Sequence, residues 1–208
     1  MNIKNIIFDL GGVVITINHN QAVKRFKEIG IENAEQLLNP YTQTDIFGDL
    51  ESGKITAEEF CNEANKISTK PITMQQCQYA WMGYCKELPQ RNLTKIKELK
   101  DKGYNVILLS NTNPFVMSWA TSNDFDGKGN TIAHYFSSMY MSYKCKMMKP
   151  NRKLFEKIIN EQNIKPQETL FVDDGINNIN VAKELNINTL YVKNGEDWTE
   201  TINKYIQK

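Results

Sequence analysis

The sequence predicts an α/β fold, a parallel sheet with helices on both faces, carrying an inserted all-helical segment. Three observations predict it. Strand-like stretches recur at 3–8, 104–110, 137–143, 169–172 and 189–192. The first is β-branched and aromatic and, like 104–110, reads as a strand buried in a parallel sheet. Helical patterns separate these runs after residue 89, and alternating strands and helices imply a parallel sheet. Residues 18–88 show helical patterns with no strand signal, so they read as an insertion into a core made of residues 1–17 and 89–208.

The first strand, residues 3–8, runs into Asp9, and Gly11-Gly12 permits a sharp turn. Residues 13–17 are β-rich again and suit a small flap. In the insert, 21–29, 44–50, 56–67 and 73–85 have helical spacing, and Thr56-Ala57-Glu58-Glu59 reads as a capping box. Pro71 and Pro89 punctuate the ends. A helix over 93–102 should stop at Gly103. After the second strand, Asn113-Pro114 starts a helix with proline at its first position. Residues 123–134 read as a polar, Gly-rich, solvated loop. Helices follow over 151–161 and 176–185, and a terminal helix is expected over 197–206.

Lys and Arg total 25 against 24 Asp and Glu, a net charge of +1. That balance gives no footprint for nucleic acid or anionic membranes. No segment approaches a membrane span of about 20 apolar residues, and Asp9 breaks the N-terminal apolar run too early for a signal peptide. Cys61, Cys77, Cys85 and Cys145 lack zinc-site or C-x-x-C spacing and read as reduced thiols. A cytoplasmic protein is expected.

In a parallel sheet the strand ends Asp9, Ser110 and Asp174 share one edge, the edge where ligands of open α/β sheets bind. The residue types suit phosphoryl transfer, which needs a nucleophile, a cationic clamp and oriented donors. A carboxylate can attack phosphorus, further carboxylates can hold Mg²⁺, and a lysine such as Lys149 can pair with phosphate.

Four ordered motifs carry a resemblance: Asp9-Leu10-Gly11-Gly12, Leu109-Ser110-Asn111-Thr112-Asn113, Lys149-Pro150, and Phe171-Val172-Asp173-Asp174-Gly175-Ile176-Asn177-Asn178. With them the chain resembles, over about residues 3–193, the haloacid dehalogenase superfamily. Within it, the chain resembles the group with a helical cap that includes bacterial α-D-glucose-1-phosphate phosphatases. The resemblance implies a Rossmann-like core with a small helical-bundle cap, and a Mg²⁺-dependent phosphatase acting on a small phosphorylated metabolite such as a sugar phosphate. It implies Asp9 as nucleophile and metal ligand, and Ser110 with the Asn111 backbone as phosphoryl binders. Lys149 would pair with phosphate and nucleophile. The Gly11 carbonyl and Asp174 would be metal ligands, Asp173 would act through a water, and Asn178 would support the loop.

One position departs from the pattern. Most phosphatases of the superfamily carry an acid two residues after the nucleophile, where this chain has Gly11. A general acid/base is typically worth about 10²–10⁴ in rate. Three accounts stay open: a substrate with a good leaving group such as a sugar 1-phosphate, a substitute acid with Thr16 and His19 as local choices, or a protein that binds more than it turns over. A dehalogenase also lacks that acid, but it needs no metal, and Asp173-Asp174 argues against it.

Other features read as structural. Residues 124–130 do not satisfy a calcium loop. Trp81, Met82 and Tyr84 with Tyr79 read as cap packing, with a sugar-binding surface as the alternative. Lys144 and Lys146 read as solvated. Asp45, Asp49 and Glu51 read as the polar face of a cap helix.

Overall fold

The computed structural model describes residues 2–38 and 45–206. The chain opens with β1 (Asn5–Phe8) and the short β2 (Thr16–Ile17). Helices α1 (His19–Glu28), α2 (Ala34–Leu37), α3 (Asp45–Glu51), α4 (Ala57–Ile67) and α5 (Met74–Trp81) follow, then β3 (Cys85–Glu87). The remainder alternates: α6 (Gln90–Asp101), β4 (Asn105–Ser110), α7 (Pro114–Ala120), β5 (Ser138–Met141) with α8 (Ser142–Cys145), α9 (Arg152–Glu161), β6 (Thr169–Asp173), α10 (Ile176–Glu184) and β7 (Asn188–Tyr191).

The strands form a five-stranded sheet in the order β5-β4-β1-β6-β7, every pairing parallel. β1 is central, with Phe8 opposite Leu108 on one side and Val172 on the other. Side chains alternate between the two faces of a strand. Ile6, Phe8, Val106, Leu108, Leu170 and Val172 enter one apolar cluster, closed by α6 and α7. Ile7, Ile107, Leu109 and Phe171 enter another, closed by α9 and α10. Both faces of the three central strands are covered, so β1, β4 and β6 carry no polar alternation. The shared register brings Asp9, Ser110 and Asp173 to one edge.

The helices between α1 and α5 enclose a third cluster built on Phe26, Phe47, Phe60 and Trp81. Their rings meet edge-on or tilted, with centroids 5.0 Å apart for Phe26–Phe47, 5.1 Å for Phe47–Phe60 and 5.4 Å for Phe26–Trp81. Burying a large apolar side chain is worth about 1.5–3 kcal/mol, so these rings give the helical segment an interior of its own. The capping box forms, with Glu59 N–H donating to Thr56 Oγ1 at 3.1 Å and Thr56 N–H to Glu59 Oε2 at 2.8 Å.

Several expectations need correction. β3 lies inside the stretch read as purely helical and pairs antiparallel with β2, so a two-stranded ribbon links the chain's exit from the sheet to its return. A three-residue strand following a helix is too short to show a period. The helix expected over 73–85 ends at Trp81 for the same reason. At residues 197–206 the described structure holds a single 3₁₀ turn, Thr201–Lys204. There the Asp197 carboxylate captures the Thr199 N–H at 3.1 Å and its hydroxyl at 2.7 Å, a local turn that competes with helix. The expected start of a helix at Thr44 lies outside the described residues.

The 123–134 loop is not simply solvated. Asp126 is buried and accepts from Lys128 N–H at 2.8 Å, Asn130 N–H at 3.0 Å, Asn130 Nδ2 at 2.8 Å and Tyr135 OH at 2.7 Å. Burial pushes its carboxyl up, but these donors outweigh burial and hold it well below the usual carboxylate range.

Candidate active site

Asp9 follows β1 directly, and Lys149 precedes α9. The Lys149 ammonium lies 2.8 Å from Asp9 Oδ2 and 2.7 Å from Asp173 Oδ2, with all three side chains almost wholly buried. Asp173 ends β6. Its other oxygen accepts from Gly175 N–H at 2.7 Å and Asn178 Nδ2 at 2.9 Å. The second oxygen of Asp9 accepts from Leu10 N–H at 2.6 Å.

Ligand oxygens of Asp9, Asp173 and Asp174 lie within 4.8 Å of one another. Three carboxylates face one ammonium, which leaves two negative charges uncompensated. Burial pushes the Asp9 carboxyl well up, Lys149 pulls it down, and Asp173 and Asp174 push it up again. Burial and the charge on Asp173 raise Asp174 to about 6. Burial works against the Lys149 charge, but Asp173 and Asp9 outweigh it and hold the ammonium protonated. An all-oxygen donor set short of two positive charges is what a hard divalent cation such as Mg²⁺ requires.

Two glycines make the geometry possible. Gly12 has φ +81°, and a Cβ there would stand 2.0 Å from Asp174 Oδ2. A Cβ on Gly175 would stand 2.7 Å from Asn178 Nδ2. At Gly11 the constraint is milder, since a Cβ would meet the Ile17 Cγ2 methyl at 3.3 Å.

Ser110 ends β4, is buried and shares a cavity wall with Asp9, Asn111, Lys149 and Asp174. The Asn111 side chain turns away from a ligand role. Its Nδ2 donates to the Lys149 carbonyl at 2.9 Å and its Oδ1 accepts from Lys149 N–H at 2.8 Å. Asn113 caps α7 as expected, accepting from the Phe115 and Val116 amides at 3.1 Å each.

The cavity over this edge has a volume of about 310 Å³, within the small-metabolite range. Its far wall comes from the helical segment: His19, Glu51, Trp81 and Tyr84. Glu51 corrects an expectation, because it is 7 % exposed and faces the cavity, not solvent. Its signal in the sequence is indistinguishable from that of Asp49, which does pair with Lys54 at 2.8 Å near the surface. The aromatic group divides. Trp81 and Tyr84 line the cavity, whereas Tyr79 is 47 % exposed and stacks on Arg25. Burial first, then the charge on Glu51, pushes the Tyr84 phenol far up, so it keeps its proton.

Neither local choice of substitute acid sits well. Thr16 packs beside Gly195 and is not among the cavity-lining residues. His19 lines the cavity, but its Nε2 is engaged by the Leu38 carbonyl, an oxygen that can only accept. Cys85 also lines the cavity, but burial pushes its thiol up to about 12, which removes it as a thiolate nucleophile. All four cysteines are free thiols. Among the described residues no helix is long and apolar enough to cross a membrane.

Residues 3–186 match the haloacid dehalogenase-like hydrolase family. The chain is 42% identical over 200 residues to the D-ribitol-5-phosphate phosphatase of Bacteroides thetaiotaomicron, covering 96% of this chain and 97% of the relative. A structure of a HAD-like family hydrolase from Porphyromonas gingivalis superposes with TM-score 0.95 at 38% identity, covering all of both chains. A HAD family enzyme from Bacteroides thetaiotaomicron, in complex with magnesium and inorganic phosphate, superposes with TM-score 0.88 at 36% identity over 96% of this chain and 98% of that one. With the family matched over most of its length, this chain belongs to the haloacid dehalogenase-like hydrolases.

Proposed function

We propose that the chain is a Mg²⁺-dependent phosphatase that hydrolyses a small phosphorylated metabolite, a sugar or sugar-alcohol phosphate, through an aspartyl-phosphate on Asp9. The observation that carries this reading is Lys149 held between Asp9 and Asp173 at the cavity floor, with two negative charges in excess. The ribitol-5-phosphate phosphatase relative and the magnesium–phosphate complex of a neighbour support it.

Asp9, Asp174 and the Gly11 carbonyl would hold the metal, with Asp173 acting through a water. Bound there, Mg²⁺ supplies positive charge that offsets the phosphoryl oxygens. The Asp9 carboxylate attacks phosphorus, the bond from phosphorus to the leaving oxygen breaks, and that oxygen takes a proton from solvent. Lys149 pulls the nucleophile toward its ionised form against burial and offsets charge on the phosphoryl group, and Ser110 donates to a phosphoryl oxygen. Water then cleaves the acyl phosphate, giving inorganic phosphate and free Asp9.

Residues 18–88 act as a cap over a core of residues 1–17 and 89–208. The separate apolar interior of the helices and their share of the cavity wall support this division. A cap closing over the site admits a small metabolite and excludes bulk water.

Two substrate readings compete. The relative favours a pentitol 5-phosphate. Gly11 favours a sugar 1-phosphate such as glucose 1-phosphate, whose anomeric hydroxyl leaves with less help from an acid. Phosphate release from ribitol 5-phosphate, glucose 1-phosphate and glucose 6-phosphate separates them. Equal rates on the two glucose phosphates remove the leaving-group argument.

A further inference from the structure

The phosphoryl chemistry uses the cavity floor and leaves its far wall unassigned. Glu51, the last residue of α3, stands on that wall and is held in place by the core. Ser142 Oγ donates to the Glu51 carbonyl at 2.6 Å and accepts from Thr112 N–H at 3.0 Å, so the end of α3 is tied to the loop that follows Ser110. Asn113 Nδ2 lies 3.5 Å from Glu51 Oε1. Beside it on the wall, Trp81 is fully buried, and its Nε1–H has no acceptor among the described residues. Tyr84 adds a phenol that keeps its proton. Among the described residues, this wall thus sets the Glu51 carboxylate beside the Tyr84 phenol.

A hydroxyl both donates and accepts, so a neutral polyhydroxy group can satisfy both kinds of partner at once. A leaving group bearing a carboxylate or second phosphate would meet the Glu51 charge in a desolvated cavity, where like charges repel strongly.

We propose that Glu51 is a specificity-determining residue of this site. Its carboxylate accepts hydrogen bonds from hydroxyls of a neutral leaving group, and anionic leaving groups are turned away. The inference rests on the phosphatase reading above.

The test compares ribitol 5-phosphate with 2-phosphoglycolate, whose leaving group carries a carboxylate, in the intact chain with Mg²⁺. The quantity read is the ratio of kcat/KM for the two substrates within one preparation, which cancels any general loss of activity. Glu51→Gln keeps the shape and the Asn113 contact but removes the charge. The ratio should fall about 10- to 100-fold, through a raised KM for ribitol 5-phosphate and a lowered one for 2-phosphoglycolate. An unchanged ratio overturns the proposal. Glu51→Asp, which keeps the charge and shortens the reach, should raise KM for ribitol 5-phosphate while 2-phosphoglycolate stays excluded, and unchanged KM values there also count against it. A parent chain that releases no phosphate from p-nitrophenyl phosphate or from either substrate sinks the phosphatase reading itself, a result distinct from an unchanged ratio.

Discussion

The side chain of Asn111 closes two hydrogen bonds on the backbone of Lys149, donating to its carbonyl at 2.9 Å and accepting from its amide at 2.8 Å. The strand that carries Ser110 therefore fixes the lysine that faces Asp9. Asn111→Ala should leave Lys149 present but loosely aimed. We expect kcat to fall about 10- to 100-fold, since small misplacements of a catalytic group cost on that order. Stability should fall by about 1–3 kcal/mol from two lost half-buried hydrogen bonds. Steady-state kinetics with denaturant melts check both numbers.

Gly12 is the second lever. A side chain there would stand 2.0 Å from Asp174 Oδ2, on backbone at φ +81°. Gly12→Ala should push Asp174 out of place, at a backbone cost of about 1–2 kcal/mol. The Mg²⁺ concentration giving half-maximal phosphate release should rise at least about tenfold, as affinity losses of 10–100-fold follow disturbed ligand surroundings.

Gly11→Asp asks whether the missing acid limits the enzyme. The Ile17 methyl 3.3 Å from the new Cβ has to yield by a few tenths of an ångström. If protonation of the leaving oxygen limits turnover, the variant should gain on an alkyl phosphate by up to about 10²-fold and gain little on p-nitrophenyl phosphate, whose leaving group needs no acid. Equal changes on both substrates would show that leaving-group protonation is not limiting.

Asp126 makes stability depend on acid pH. Its folded-state carboxyl is held below its unfolded value, near 3.9. Its contribution is therefore present above about pH 4 and is lost as pH falls through the folded value. The Tm of the parent should drop between about pH 5 and pH 2, and Asp126→Asn should show a lower Tm at pH 7 with a shallower acid slope. Parallel slopes would place the acid sensitivity elsewhere.

The central strands were legible because strands buried on both faces read as apolar runs, and because Asp9 and Asp173 each sit directly after such a run. Asp9, Asp173 and Asp174 could be placed at one edge for that reason alone. Glu51 was not legible. Asp49-Leu50-Glu51 shows two acids on a short helix, and only the seating of α3 over the sheet edge decides that one meets Lys54 and the other the cavity. Asp126 hid for a related reason: its donors come from Asn130 and Tyr135, and no periodicity shows that the loop folds back over it. The Asn111 side chain was not legible either, since the resemblance assigns only its backbone to phosphate and says nothing of a side chain spent on Lys149.

The most direct measurement is phosphate release from ribitol 5-phosphate and p-nitrophenyl phosphate by the parent and by Asp9→Asn, each with Mg²⁺ and with EDTA. The account predicts release by the parent with Mg²⁺, loss on chelation, and a drop of at least about 10³-fold in Asp9→Asn. Turnover that survives Asp9→Asn, or metal-independent chloride release from chloroacetate in place of phosphatase activity, would contradict it.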